Sequence, residues 1–169
     1  MPGANNSTSL RVNRQNVMHV VRTSIAAVGS LLIARLFKLP EAYWAAITTL
    51  VVMQSSLGAA LTISWQRFAG SAIGAVAGAL FATYFGSNTA MFGVGIFVMG
   101  ILCAALRLDK AAYRFAGITL AIIMLTARPA PAWIVAVHRF IEVAVGIAVG
   151  LALTAVWPED PAAFDAPAR

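Results

Sequence analysis

Charge is scarce in this chain of 169 residues: Asp, Glu, Lys and Arg together make up 11% of it, and only 6 residues are acidic. A soluble domain of this size cannot build a solvated surface from so few charges while 60% of its residues are hydrophobic. Cysteine occurs once, at Cys103 inside an apolar stretch, which excludes a disulfide framework and a thiolate metal site. Histidine occurs twice, at His19 and His138, and no metal-ligand spacing, nucleophile elbow, phosphate loop or dinucleotide fingerprint accompanies them. The expectation is therefore a protein that is not an enzyme and needs no cofactor or metal. The net charge is +6 and the isoelectric point near 10.5, but no basic run or aromatic-basic interleaving is present, so no nucleic-acid partner is expected.

What is present is apolar length. Mean hydropathy is +0.83, and the charges cluster between stretches of about the 20 residues that cross a ~30 Å hydrocarbon core. The partner this implies is the lipid bilayer. Residues 1–16 are polar and read as a cytoplasmic tail rather than a cleaved leader, because His19 and Arg22 interrupt the start of the apolar run. Six apolar segments follow: Val17 to Phe37, Ala42 to Ser56, about Ala60 to Phe85, Thr89 to Leu106, Ala111 to Ala127, and Ala132 to Trp157. Lys38-Leu39-Pro40-Glu41, Gly58, Gly86-Ser87-Asn88, Arg107-Leu108-Asp109-Lys110, Arg128-Pro129 and Pro158-Glu159-Asp160 separate or end them. The expected fold is all-α: a polytopic membrane protein of six transmembrane helices over 17–158, with a C-terminal tail at 159–169. Placing the N-terminus inside puts 8 of the 12 basic residues on the cytoplasmic half, which favours both termini inside.

The chain also repeats itself. Arg67-Phe68, with Ala72, Gly74 and Gly78 after it, recurs 72 residues later as Arg139-Phe140 with Ala144, Gly146 and Gly150. Ala46-Ile47-Thr48 and Gly117-Ile118-Thr119 correspond at an offset of 71, with Tyr43 and Tyr113 just upstream. Three spans per copy, at about 17–86 and 89–158, predict two inverted three-helix repeats, an arrangement found in many secondary transporters.

Several positions carry candidate chemistry. The second and fifth segments are short and end in breakers, Gln54-Ser55 in one copy and Arg128-Pro129 in the other. Such breaks either open on a binding cavity or are ordinary loops lying slightly deep. Arg67 and Arg139 lie about two turns into their helices, on opposite halves of the membrane in the expected topology. Arginine at such depth is paired, snorkels or faces water. Glu142, three residues after Arg139, is the acidic residue farthest from a helix end. It fits either a proton-coupling group or a permanent ion pair that pins helices, and the matching position in the first copy is Gly70. Gly70, Gly74, Gly78, Gly146 and Gly150 have the spacing of close helix packing, between the two copies or between protomers.

Arg22-Thr23-Ser24-Ile25-Ala26, Tyr43-Trp44-Ala45-Ala46, Gln54-Ser55, Arg67-Phe68-Ala69-Gly70-Ser71-Ala72-Ile73-Gly74 and the Arg139-Phe140-x-Glu142 helix ending in Trp157-Pro158 resemble the fusaric-acid-resistance, or aromatic acid exporter, family. The resemblance covers residues 17–158. It implies bacterial inner-membrane efflux of aromatic carboxylic acids and related toxic organic anions, driven by the proton gradient. Full-size members carry a large cytoplasmic domain and a second six-helix block, whereas 12 residues follow Trp157 here. A half-size unit working as a homo-oligomer through its glycine faces is the expectation. Carried onto these residues, Arg67 and Arg139 would hold a carboxylate, Tyr43, Trp44, Tyr113 and Phe115 would meet its ring, and Gln54 and Ser55 would line the site. A different class of function, a non-transporting membrane assembly subunit packed through its glycine-rich helices, is the alternative.

Overall fold

A backbone in apolar surroundings has to satisfy its polar groups within the segment, and the α-helix does so. The computed structural model describes residues 14–54, 56–126 and 130–157, and among them are six helices. They are α1 (Arg14–Leu36), α2 (Tyr43–Val52), α3 (Leu57–Tyr84), α4 (Thr89–Ala105), α5 (Lys110–Leu125) and α6 (Ala132–Val156). Residues 1–13 and 158–169, which hold most of the expected tails, lie outside the described residues, as do Ser55 and residues 127–129.

The helix ends follow from local chemistry. Ser56 and Asn88 cap α3 and α4, their side-chain oxygens accepting from the Ala59 and Met91 N–H groups at 3.3 and 2.9 Å. The first helix of each half ends in the same way. Lys38 (φ 54) and Arg107 (φ 53) take the left-handed position that usually selects glycine. The Leu39 and Leu108 N–H groups then reach back to the Ala34 and Cys103 carbonyls at 3.1 and 2.9 Å. The second helix of each half ends by turning extended, at Met53 (ψ 112) and Thr126 (ψ 110).

Packing pairs the halves crosswise. The long α3 lies along α5, and α6 lies along α2; α1 covers α2 and α6, while α4 covers α5 and α3. Exchanging the first three helices for the last three leaves these pairings unchanged. The two resulting groups, α1–α2–α6 and α3–α4–α5, meet mainly where α3 crosses α6. Clusters at Met99, Cys103, Ala116, Leu120 and Met124, and at Ala34, Ala42 and Ala45, form the two apolar cores. A third, at Ala75, Ile123, Val135 and Ala136, joins the two groups.

The expectation of six transmembrane helices is overturned. Only two described helices are both long and apolar enough to cross a bilayer, Val17–Leu36 and Ala132–Val156. Ten residues of α2 reach about 15 Å, half of a ~30 Å core. At 17 and 16 residues, α4 and α5 reach only about 24–26 Å. The 28-residue α3 is long enough, but Ser64, Gln66, Arg67, Ser71 and its glycines dilute its apolar character. The sequence count ran together helix and extended chain: the run from Ala42 to Ser56 is helical only to Val52.

The bundle nevertheless encloses large polar side chains and is apolar outside. Arg22, Arg139, Glu142, Thr48, Thr49 and Thr154 are among its largest fully buried side chains. Val20, Leu50, Val76, Phe97, Leu125 and Val156, one from each helix, are more than half exposed. Water-soluble domains show the reverse, and this distribution suits contact with lipid.

Candidate functional site

The repeated Arg-Phe signature meets itself where α3 crosses α6. The Phe68 and Phe140 rings pack at 4.9 Å between centroids, and Arg67 and Arg139 are the residues that precede them in the chain. The two arginines are therefore brought to the same helix crossing. Both are buried, Arg67 at 4% and Arg139 at 1% exposure.

Each guanidinium lies over a ring from the helix its own helix packs along. Arg67 stands 4.8 Å from the Phe115 centroid, and Arg139 stands 3.4 Å from that of Trp44. Trp44 and Phe115 are themselves counterparts at the 71-residue offset, so the cation–π contact is duplicated along with the chain. Two glycines allow the close approach that creates these contacts. A Cβ on Gly74 would collide with the Ala116 carbonyl oxygen, and one on Gly146 with the Ala45 carbonyl oxygen and Thr48.

The polar partners are not duplicated. Arg67 donates through Nη2 to Thr48 Oγ1 at 3.1 Å. Arg139 Nη1 stands 3.6 Å from Glu142 Oε2, which is ion-pair distance but too long for a hydrogen bond. The other oxygen of Glu142 accepts the Glu41 backbone N–H at 3.0 Å, at the start of α2, and Glu41 in turn accepts from Trp44 Nε1 at 3.1 Å. Arg139 thus shares the fully buried Glu142 carboxylate with the Glu41 N–H, while Arg67 has the Thr48 hydroxyl. Among the described residues, Arg67 Nε and Arg139 Nε have no hydrogen-bond acceptor, and Arg139 Nη1 has only the ion pair with Glu142. Buried N–H donors normally have one. Donors in this geometry can clasp a carboxylate in charge-assisted pairs.

Of the other residues proposed from sequence, Tyr43 is half-exposed, its ring 5.5 Å from that of Trp44 at the edge of the cluster. Tyr113 packs with Met99 between α4 and α5 and is not part of the cluster. Gln54 lies about 15 Å along α2 from Trp44, and Ser55 is outside the described residues. At that end Arg22 closes the break: its Nη1 and Nη2 donate to the Trp157 and Gln54 carbonyls at 2.7 and 2.8 Å. The other break borders a cavity of about 570 Å³ lined in part by Ser87, Asn88 and Thr126. Gly70, Gly74 and Gly78 are filled by α5, and Gly146 and Gly150 by α2, so these stripes serve packing inside the chain and are not open to another protomer. Thr48 was missed as a site residue, although the Ala46-Ile47-Thr48 match between the copies marked it. Trp44, expected to meet a ligand ring, lies over the Arg139 guanidinium. Among the described residues no three His, Cys, Asp or Glu side chains gather to hold a metal ion.

Polar groups enclosed by an apolar exterior, with two helices of spanning length and composition, fit an α-helical membrane protein. The chain belongs to the Fusaric acid resistance protein-like family, which it matches over residues 26–153. It is 28% identical over 155 residues to Inner membrane protein YeeA of Escherichia coli (strain K12). That alignment covers 89% of this chain and 44% of the relative, so the chain spans less than half the length of the curated relative it matches. No solved structure matches the chain.

Proposed function

We propose that the protein exports aromatic carboxylic acids, or related small toxic organic anions, across the bacterial inner membrane, and that Arg67 and Arg139 hold the carboxylate. The observation that carries this reading is the pair of buried guanidinium groups at one helix crossing, whose two Nε donors have no acceptor among the described residues. Positive charge at such depth is costly, and a bound carboxylate would offset the repulsion while accepting those donors. Trp44, Phe115, Phe68 and Phe140 surround the pair with ring faces and edges that suit an aromatic body. Glu142 is the proton-coupling group in this reading, because it shares Arg139 with the incoming anion and stands on the same helix. The glycine stripes face neighbouring helices of the same chain, which favours this reading over an assembly subunit packed through them.

The test is growth of a deletion strain on a panel of aromatic acids, with rescue by the wild-type chain and by Arg67→Ala, Arg139→Ala and Glu142→Gln. Rescue by the wild type and by none of the three variants, at equal protein levels, is the expected result. Full rescue by Arg67→Ala would remove the carboxylate site from the account.

A further inference from the structure

An open groove of about 570 Å³ runs along the outer side of the α3–α6 crossing. It begins at Tyr84 and Trp133, near the end of α3 and the start of α6, and ends at Ala72 and Phe140. Among the described residues no charged side chain lines it, and alanines such as Ala72, Ala79 and Ala136 leave it its depth. Phe140 belongs both to this groove and to the ring pair with Phe68. Arg67 and Arg139 are the residues that precede the two rings in the chain. Phe68 is itself 38% exposed, whereas the arginines are buried. Phe140 thus links the groove, through its ring contact with Phe68, to the two turns of helix that carry the arginines.

We propose that this groove is the receiving site for the apolar body of a membrane-dissolved aromatic acid, and that the Phe68–Phe140 pair is the partition through which its carboxylate reaches Arg67 and Arg139. The inference rests on the anion-binding reading of those arginines. Three properties select this occupant. The volume lies in the range of small-molecule sites. A lining without charge suits only the uncharged part of a ligand, so the carboxylate has to be met elsewhere. Buried donors without acceptors stand on the same two helices, at the arginines that precede the rings. An amphipathic acid held in the bilayer with its ring in the apolar layer would thus reach the site from the side and need not cross open water. Ring displacement at Phe140 connects the two compartments without moving a helix, since side-chain rotamer changes are fast and local.

The site has a size signature that the arginines alone would lack. The full chain is reconstituted in liposomes, and efflux of a bulky aromatic acid (1-naphthoate) is compared with that of a small aliphatic one (propionate). Ala79→Phe, which fills the groove about three turns along α3 from Phe68, is expected to lower naphthoate flux at least tenfold and to leave propionate flux within twofold. Equal loss of both fluxes, or loss of neither, would overturn the groove assignment. Arg67→Ala in the same assay separates the two claims: loss of both fluxes keeps the carboxylate site whatever Ala79→Phe does, and loss of neither removes that site. A labelling experiment covers the case in which Ala79→Phe does not fold. In a Cys103→Ala background, a thiol introduced by Ala79→Cys reacts with a benzyl methanethiosulfonate. Protection by naphthoate and not by propionate is the expected result. Protection that follows protein concentration or added phospholipid instead would assign the groove to a second copy or an acyl chain and refute the proposal.

Discussion

Replacing Gly74 with alanine should loosen the bundle where it is least able to yield. A Cβ there would stand 2.9 Å from the Ala116 Cα and 3.0 Å from its carbonyl carbon, besides meeting the carbonyl oxygen. Carbon atoms pack favourably at about 3.5–4.0 Å, and every atom in the way is α5 backbone, so the two helices must move apart by roughly 1 Å. Overpacking of this kind costs about 3 kcal/mol at the upper end of its range, and the gain in helix propensity on losing a glycine returns about 1 kcal/mol. Gly93, also mid-helix, has nothing within 4 Å of its would-be Cβ, so Gly93→Ala should show the propensity gain alone. The two variants should therefore differ by about 3 kcal/mol, which for a chain of this size corresponds to roughly 6–12 °C in melting temperature. The assay is thermal unfolding of the detergent-solubilised full chain. The same displacement draws Phe115 away from Arg67, so Gly74→Ala should also bind aromatic acids more weakly. A Gly74→Ala protein that melts at or above Gly93→Ala would refute the packing argument and the parallel α3–α5 register on which it rests.

Other outcomes follow from the same contacts. Glu142→Gln retains an oxygen to accept the Glu41 N–H but no longer competes for Arg139. Naphthoate binding should tighten several-fold while naphthoate-driven proton flux stops, and unchanged proton flux would remove the coupling role. Arg22→Ala releases the Gln54 and Trp157 carbonyls together, for a loss of about 3 kcal/mol or more. It should lower the melting temperature sharply yet leave naphthoate affinity within threefold, since Arg22 stands at the other end of α2. Thr48→Val takes an acceptor from the buried Arg67 guanidinium, for about 1–2 kcal/mol. Saturating naphthoate should then raise the melting temperature of that variant by more than it raises that of the wild type. An equal shift would mean that the anion does not reach Arg67.

Much of the helix plan was legible in the sequence, because apolar periodicity and turn chemistry are local. Asn88 before Thr89, Gly86, and the Pro129–Pro131 region placed helix boundaries to within a few residues. Spanning status was not legible in the same way. An apolar run from Ala42 to Ser56 does not reveal that the backbone turns extended at Met53, and the missing turn of helix leaves α2 half the thickness of a bilayer core. The repeat marked Arg67 and Arg139 as counterparts, yet their meeting depends on α3 crossing α6, a long-range contact that no local pattern encodes. The glycine spacing announced a close helix neighbour without naming it. Only the crosswise packing shows that α5 fills one stripe and α2 the other. Tyr113 was proposed by analogy with Tyr43, but the first turn of α5 faces α4, where its ring packs against Gly100. A shared offset transfers sequence position, whereas burial depends on the neighbouring helix.

The central claim is that the paired arginine signature holds a carboxylate, and binding of 1-naphthoate to the purified full chain tests it most directly. Trp44 supplies the signal, because its ring lies 3.4 Å from the Arg139 guanidinium and an anion drawn to that group would change its fluorescence. Loss of one charge-assisted bidentate contact removes about 2–3 kcal/mol, which at 1.4 kcal/mol per tenfold is roughly 30–100-fold in affinity. Arg67→Gln is expected to weaken naphthoate by that factor while its unliganded melting temperature stays close to that of the wild type. Wild-type affinity in a folded Arg67→Gln protein would contradict the account.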